Sequence, residues 1–164
     1  MARALQRIPA FQLMLKDQQF RAIGHVIVQW AFLESEINRE LAWLRKRSEH
    51  KKKRVNFQAR FSNRANRWLE LANRSYRKHP SFVKAVERIG RQAINIKRER
   101  DELAHGNFAS SGTFFKLREG KTIDVSDTMG AQPYLEDLAC RISDINAALF
   151  RHQIALQKRF RKLP

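Results

Sequence analysis

Cysteine, glycine and proline are all scarce in this chain, and acidic residues are heavily outnumbered. Cys140 is the only cysteine, so a disulfide-stapled framework is excluded; a reducing compartment, and hence the cytoplasm, fits best. Six glycines and four prolines leave most of the sequence free to run at helical period. No apolar run approaches the length of a membrane span, and the N-terminus lacks a secretory signal's apolar core, so no membrane partner is expected. There is no phosphate-binding glycine loop and no Gly-x-Ser-x-Gly elbow. His25, His50, His79 and His152 show no spacing that would make a metal site with a second ligand, so neither metal nor cofactor is expected.

What is present is positive charge on a foldable chain. With 164 residues and 43% hydrophobic content, one domain over 1–164 can bury its own core. Lys and Arg number 33 against 16 Asp and Glu, for a formal net charge of +17. Such a chain attracts polyanions, and nucleic acid is the first candidate. Charge alone would be satisfied equally by an acidic membrane or an acidic protein.

Hydrophobic spacing predicts four long amphipathic helices. After an N-terminal arm (1–16), the first runs from Asp17 to about Arg47 with the stripe Phe20, Ile23, Ile27, Trp30, Glu34, Ile37, Leu41, Leu44. A basic segment follows, Arg45, Lys46, Arg47 and then Lys51, Lys52, Lys53, Arg54, too charged for a core and available as an RNA track. The second helix spans about Asn56 to Lys78, with Phe57, Phe61, Ala65, Trp68, Ala72 and Tyr76 on one side. Pro80 separates it from the third, about Ser81 to Ala104, whose stripe is Phe82, Val86, Ile89, Ala93, Ile96, Arg100, Leu103. Helical period then disappears over 107–132, where two short β-like runs flank Arg118-Glu119-Gly120-Lys121 and predict a small β-hairpin insert. The last helix runs from about Pro133 to Phe160, with Leu135, Leu138, Ile142, Ile145, Leu149, His152 and Leu156 inward. The expected fold is all-α, a four-helix up-down bundle with the hairpin between its third and fourth helices.

Two stripes are apolar except for one charge each, Glu34 and Arg100. A charge on an inward face is costly unless it is paired or faces a cleft. Either the two form an ion pair that sets helix register, or both stand at a cleft rim. Five residues after Arg100, His105 falls where the third helix ends, with Gly106 as its C-terminal cap. The negative end of the helix dipole favours imidazolium there, and Asp101, four residues earlier, is placed to hydrogen-bond the ring. The plain alternative is a histidine that caps the last carbonyls. Arg98 competes with Arg100, being nearly on the face of His105, whereas Arg100 is about 140° away around an ideal helix. Arg98 also precedes Glu102 by four residues, the spacing of a surface pair.

The run Arg100-Asp101-x-x-x-His105-Gly106, entered from a long helix, resembles the signature of the HEPN (higher eukaryotes and prokaryotes nucleotide-binding) ribonucleases. That pattern is an arginine, a polar residue, a short spacer and a histidine. The Trp30-x-x-Leu33-Glu34 run is also similar to small bacterial members. The resemblance implies a metal-independent endoribonuclease, a toxin or defence effector, working as a homodimer that joins two motifs in one composite site. It implies that His105 moves the 2′-hydroxyl proton, Arg100 holds the scissile phosphate, and Asp101 orients one of them, with Glu34 and Arg98 in support. RNA and an antitoxin protein are the implied partners. A non-catalytic module of the same fold, binding nucleotide or RNA or pairing with an antitoxin, is the alternative. Toxin members silenced by tyrosine modification carry that tyrosine two residues after the histidine; here the position is Asn107.

Overall fold

The computed structural model describes residues 16–47, 59–105, 107–108, 114–118, 121–124 and 132–160, with backbone only for His105 and the strands. Four helices form a bundle: α1 (Asp17–Arg47), α2 (Phe61–Ser75), α3 (Pro80–His105) and α4 (Gln132–Phe160). The second helix is shorter than its spacing predicts. Ala59 and Arg60 are non-helical, and Tyr76 closes the last turn by donating its backbone N–H to the Ala72 carbonyl. Between α3 and α4 the backbone pairs β1 (Asn107–Phe108), β2 (Phe114–Arg118) and β3 (Lys121–Asp124) antiparallel in that order, with Phe115 opposite Asp124. Among the described residues no helix is long and apolar enough to cross a membrane.

The helix directions depart from the expected up-down order. Along α1 and α2 the contacts climb together: Trp30 meets Phe61 with ring centroids 4.6 Å apart, Glu34 pairs with Arg64, and Tyr76 donates to Glu40 at 3.2 Å. They also climb together along α1 and α4, where Asn146 donates to the Gln29 carbonyl at 3.0 Å and His152 meets Glu40 at 3.2 Å. Only α3 runs counter, with Phe82 beside Tyr76 and Glu99 bonded to Arg141. The connection 48–60 is long enough to permit this. Fully extended it reaches about 43 Å, whereas Arg47 and Trp30 are about 26 Å apart along the helix. The chain therefore has length to return and begin α2 beside Trp30.

Burial follows the expected stripes on α2, α3 and α4, but not on the first half of α1. Phe20 and Ile27 are 45% and 51% exposed; Ala22, Val26 and Leu33 face the core instead. No Lys, Arg, Asp or Glu stands between Arg21 and Glu34, so this stretch is apolar nearly all round and its period fits more than one face. The outer face left over carries Phe20, Ile27, Val28 and Phe32, all exposed. Gly24 belongs to it, and a Cβ there would meet nothing within 4 Å. At Gly90 the reverse holds: a Cβ would come within 2.6 Å of Leu69, so the glycine lets α2 and α3 close up.

Polar contacts brace the bundle at both flanks of α4. Arg141 donates twice to Glu99, at 2.6 and 3.0 Å, and Tyr134 donates to the same carboxylate at 2.6 Å. The Arg141 hydrogen bonds hold Glu99 below the ordinary carboxylate range against the opposing effect of partial burial, with Tyr134 adding to the depression. A carboxyl depressed by folding binds fewer protons in the native state. Its contribution is therefore complete above the unfolded value and is lost as pH falls through the folded one. Glu99→Gln is expected to lower the urea midpoint at pH 7 and to narrow the gap to wild type at pH 3. An equal gap at both pH values would show that the pair contributes nothing through its charge.

Candidate functional site

A cleft of about 520 Å³ opens where the start of α2 meets α1 and the last turns of α3. Trp30 and Phe61 form its apolar wall, while Arg60, Arg64, Lys97 and Arg100 bring four cations against Glu34 and Asp101. Each position follows from its helix. Trp30 and Glu34 are one turn apart on α1, Phe61 and Arg64 are one turn apart on α2, and Lys97 and Asp101 are one turn apart on α3.

Arg100 is the least conventional member. It occupies the core stripe of α3, yet its side chain is 29% exposed at the cleft. Its guanidinium carbon lies 5.3 Å from the centroid of the Trp30 ring, within cation–π reach. One nitrogen, Nη1, donates to Asp101 at 3.1 Å. Nε is buried and has no acceptor among the described residues. A buried donor left unpaired costs about 1–3 kcal/mol; the exposed part of the planar guanidinium is the part that suits a phosphate oxygen.

The surrounding charges are arranged by pairing. Lys97 and Arg100 both donate to Asp101. Partial burial pushes the Asp101 carboxyl up, but these bonds and charges outweigh it and hold the group below its ordinary value. Asp101 is thus an anion across the neutral range and positions two cations. Glu34 pairs with Arg64 of α2, whose own guanidinium is held below its ordinary value by burial. Arg60 has no ion-pair partner among the described residues.

The structure separates the residues the sequence singled out. Arg100, Asp101 and Glu34 share the cleft, but the Glu34–Arg100 ion pair does not form; Arg64 reaches Glu34 from a helix that the sequence alone could not orient. Arg98 is 86% exposed and bonded to Glu102 at 3.2 Å, the surface pair, and takes no part in the cleft. The backbone of His105 closes α3 one turn beyond Asp101, while its side chain and Gly106 lie outside the described residues. Arg45, Lys46 and Arg47 sit at the far end of α1, over 20 Å from Trp30 at about 1.5 Å per residue. Arg47 stacks there over Trp43 and Phe160, at 4.9 and 5.5 Å. Lys51, Lys52, Lys53 and Arg54 lie outside the described residues.

Arg60, Arg64 and Lys97 are site residues that sequence reasoning missed. Arg64 did leave a signal, falling three residues after Phe61 and one before Ala65 on the edge of the α2 stripe. It is masked by Arg67 and Arg74, which pair with Glu70 on the same helix. Among the described residues no group of three or more His, Cys, Asp and Glu is gathered as for a metal ion. Comparison with protein-family models, curated proteins and solved structures gives no match, so what the cleft does is read from its own chemistry.

Proposed function

We propose that this chain is a metal-independent endoribonuclease of the HEPN type, acting as a homodimer in a toxin or defence role, with RNA as substrate. The observation that carries the reading is the Arg100 guanidinium, held over Trp30 in a four-cation cleft with its side chain 29% exposed. His105 stands five residues on, at the end of the same helix. In the proposed reaction His105 takes the proton of a ribose 2′-hydroxyl, and that oxygen attacks the adjacent phosphorus. Arg100 binds the phosphate and stabilises charge on the five-coordinate transition state; Lys97 and Arg64 add to the local field. The P–O5′ bond breaks as the P–O2′ bond forms, the 5′-oxygen takes the proton back from the His105 imidazolium, and the products end in a 2′,3′-cyclic phosphate and a 5′-hydroxyl. An antitoxin would be a partner of the same reading.

A second copy fits the outer face of α1. Two chains of charge +17 repel each other, and a stretch with no charge between Arg21 and Glu34 lowers that repulsion locally. Phe20, Ile27, Val28 and Phe32 supply exposed apolar area there, and Gly24 lets a facing helix approach closely.

The test uses the full chain with an end-labelled single-stranded RNA in chelator. The expected result is cleavage with 2′,3′-cyclic phosphate ends, falling steeply as salt rises. A folded protein that binds the RNA and leaves it whole would make the chain a binding module and overturn the enzyme. Sedimentation should show a dimer that Ile27→Asp with Val28→Asp converts to monomer while cleavage drops at least tenfold. Unchanged sedimentation of that variant would place the interface elsewhere.

A further inference from the structure

A second cleft, of about 430 Å³, lies between α3 and α4 on the other flank of α3 from the Arg100 site. That volume falls within the range of small-molecule sites, roughly 300–1,000 Å³. Its floor is apolar, made by Ile96, Ile145 and Ala148. One end is walled by the Glu99–Arg141 pair, where both of these charges are already committed, since Arg141 also reaches Asp137 at 2.8 Å. At the other end stand Arg88 and Arg151, both exposed and both without an ion-pair partner among the described residues. Lys84, one turn before Arg88 on α3, adds to the positive field at that end. Along the rim the Gln92 and Asn95 amides and the Asp144 carboxylate make no side-chain hydrogen bond among the described residues.

The asymmetry describes a ligand. An anionic group belongs at the arginine end, an uncharged flat body on the apolar floor, and hydrogen-bonding edges or hydroxyls against the rim. An inorganic anion would leave the floor unused; a purely apolar ligand would leave both arginines unused. We infer that the α3–α4 cleft binds a nucleoside monophosphate, either free or as the terminal nucleotide of an RNA strand. The phosphate lies between Arg88 and Arg151, the base lies on Ile96, Ile145 and Ala148, and Asp144 accepts from sugar hydroxyls. This assignment uses none of the Arg100 cleft and stands whether or not the chain cleaves RNA.

The experiment is calorimetric and NMR titration of the full chain with AMP, UMP and inorganic phosphate at low salt. AMP is expected to bind at least tenfold tighter than inorganic phosphate and to shift the backbone amides of Gln92, Asn95 and Ala148. Arg88→Glu and Arg151→Glu, both at exposed positions, should each weaken it tenfold or more, and Ala148→Leu should do so by filling the floor. Circular dichroism melting of these variants separates lost binding from lost fold. A 5′-phosphorylated trinucleotide that binds tighter than AMP would identify the RNA end as the source; equal or weaker binding would identify the free nucleotide. The site is overturned if AMP binds no better than inorganic phosphate, if charge reversal of both arginines leaves it unchanged, or if the shifts gather around Trp30 and Arg100.

Discussion

Replacing His152 by leucine is expected to destabilise the bundle by about 1–3 kcal/mol, the cost of leaving a buried polar partner, here the Glu40 carboxyl, short of a hydrogen bond. His152 and Glu40 have side chains only 1% and 2% exposed, with Nε2 and Oε1 3.2 Å apart. Tyr76 donates its hydroxyl to the same oxygen at 3.2 Å. Burial first, and the Glu40 carboxylate second, hold the Tyr76 proton far above its ordinary range, so the phenol is a donor at every accessible pH. Glu40 comes from α1, Tyr76 from the end of α2 and His152 from α4, which are the three helices that run in one direction. The contact therefore sets their register at one end of the bundle, inside an aromatic cluster of Tyr76, Phe82 and Phe160. The measurement is a double-mutant cycle by urea unfolding. Glu40→Leu alone should cost a similar amount, and the double variant should recover much of it, since replacing both partners by apolar groups leaves neither of them unsatisfied. A loss below about 0.5 kcal/mol for His152→Leu, or a double variant no more stable than the poorer single, would show that this contact does not tie the helices together.

This pair also shows what the sequence could and could not disclose. His152 was legible as an inward, packed histidine from its place on the α4 stripe, but its partner was not. Glu40 sits only one position before the stripe residue Leu41 and reads as the edge of a solvated face. Its burial depends on α2 lying parallel to α1, and a connection length sets an upper bound on reach without choosing a direction. The same ambiguity hid Arg64 as the partner of Glu34. The outer face of α1 failed for a different reason. From Ala22 to Leu33 apolar residues occupy most of the circumference, so Phe20 and Ile27 satisfied the period as well as Ala22 and Val26 did, and only packing against α4 decides between them. Arg100 was legible because it is an exception to a clean pattern. Every other residue of its stripe is apolar, and a charge that interrupts such a stripe needs a local reason, which the cleft supplies. The Arg98 alternative fell to the same logic in reverse, since its spacing to Glu102 already accounted for it.

Arg100→Ala is expected to slow RNA cleavage by about 10²–10³-fold, the size of effect seen when one donor to a transition-state oxyanion is removed. Arg100→Lys should restore little of this. An ammonium is a compact point charge; it lacks the planar fork that spans two phosphate oxygens. His105→Ala should lose about 10²–10⁴-fold as a general acid–base residue, and the double variant should be little worse than the poorer single, because the two act on one transition state. Stability separates this reading from a structural one. If Arg100 served only to hold α3 against α1, its removal would lower the unfolding midpoint, as removing any side chain that ties two helices together does. In the cleft as built, Nε is buried and unpaired and a cationic group interrupts a core stripe, so Arg100→Met should melt no lower than wild type while cleaving far more slowly. A residue whose removal leaves stability intact and abolishes turnover is kept for its ligand. Cleavage at the wild-type rate by folded Arg100→Ala or Arg100→Met would remove the basis for assigning this cleft to phosphate chemistry.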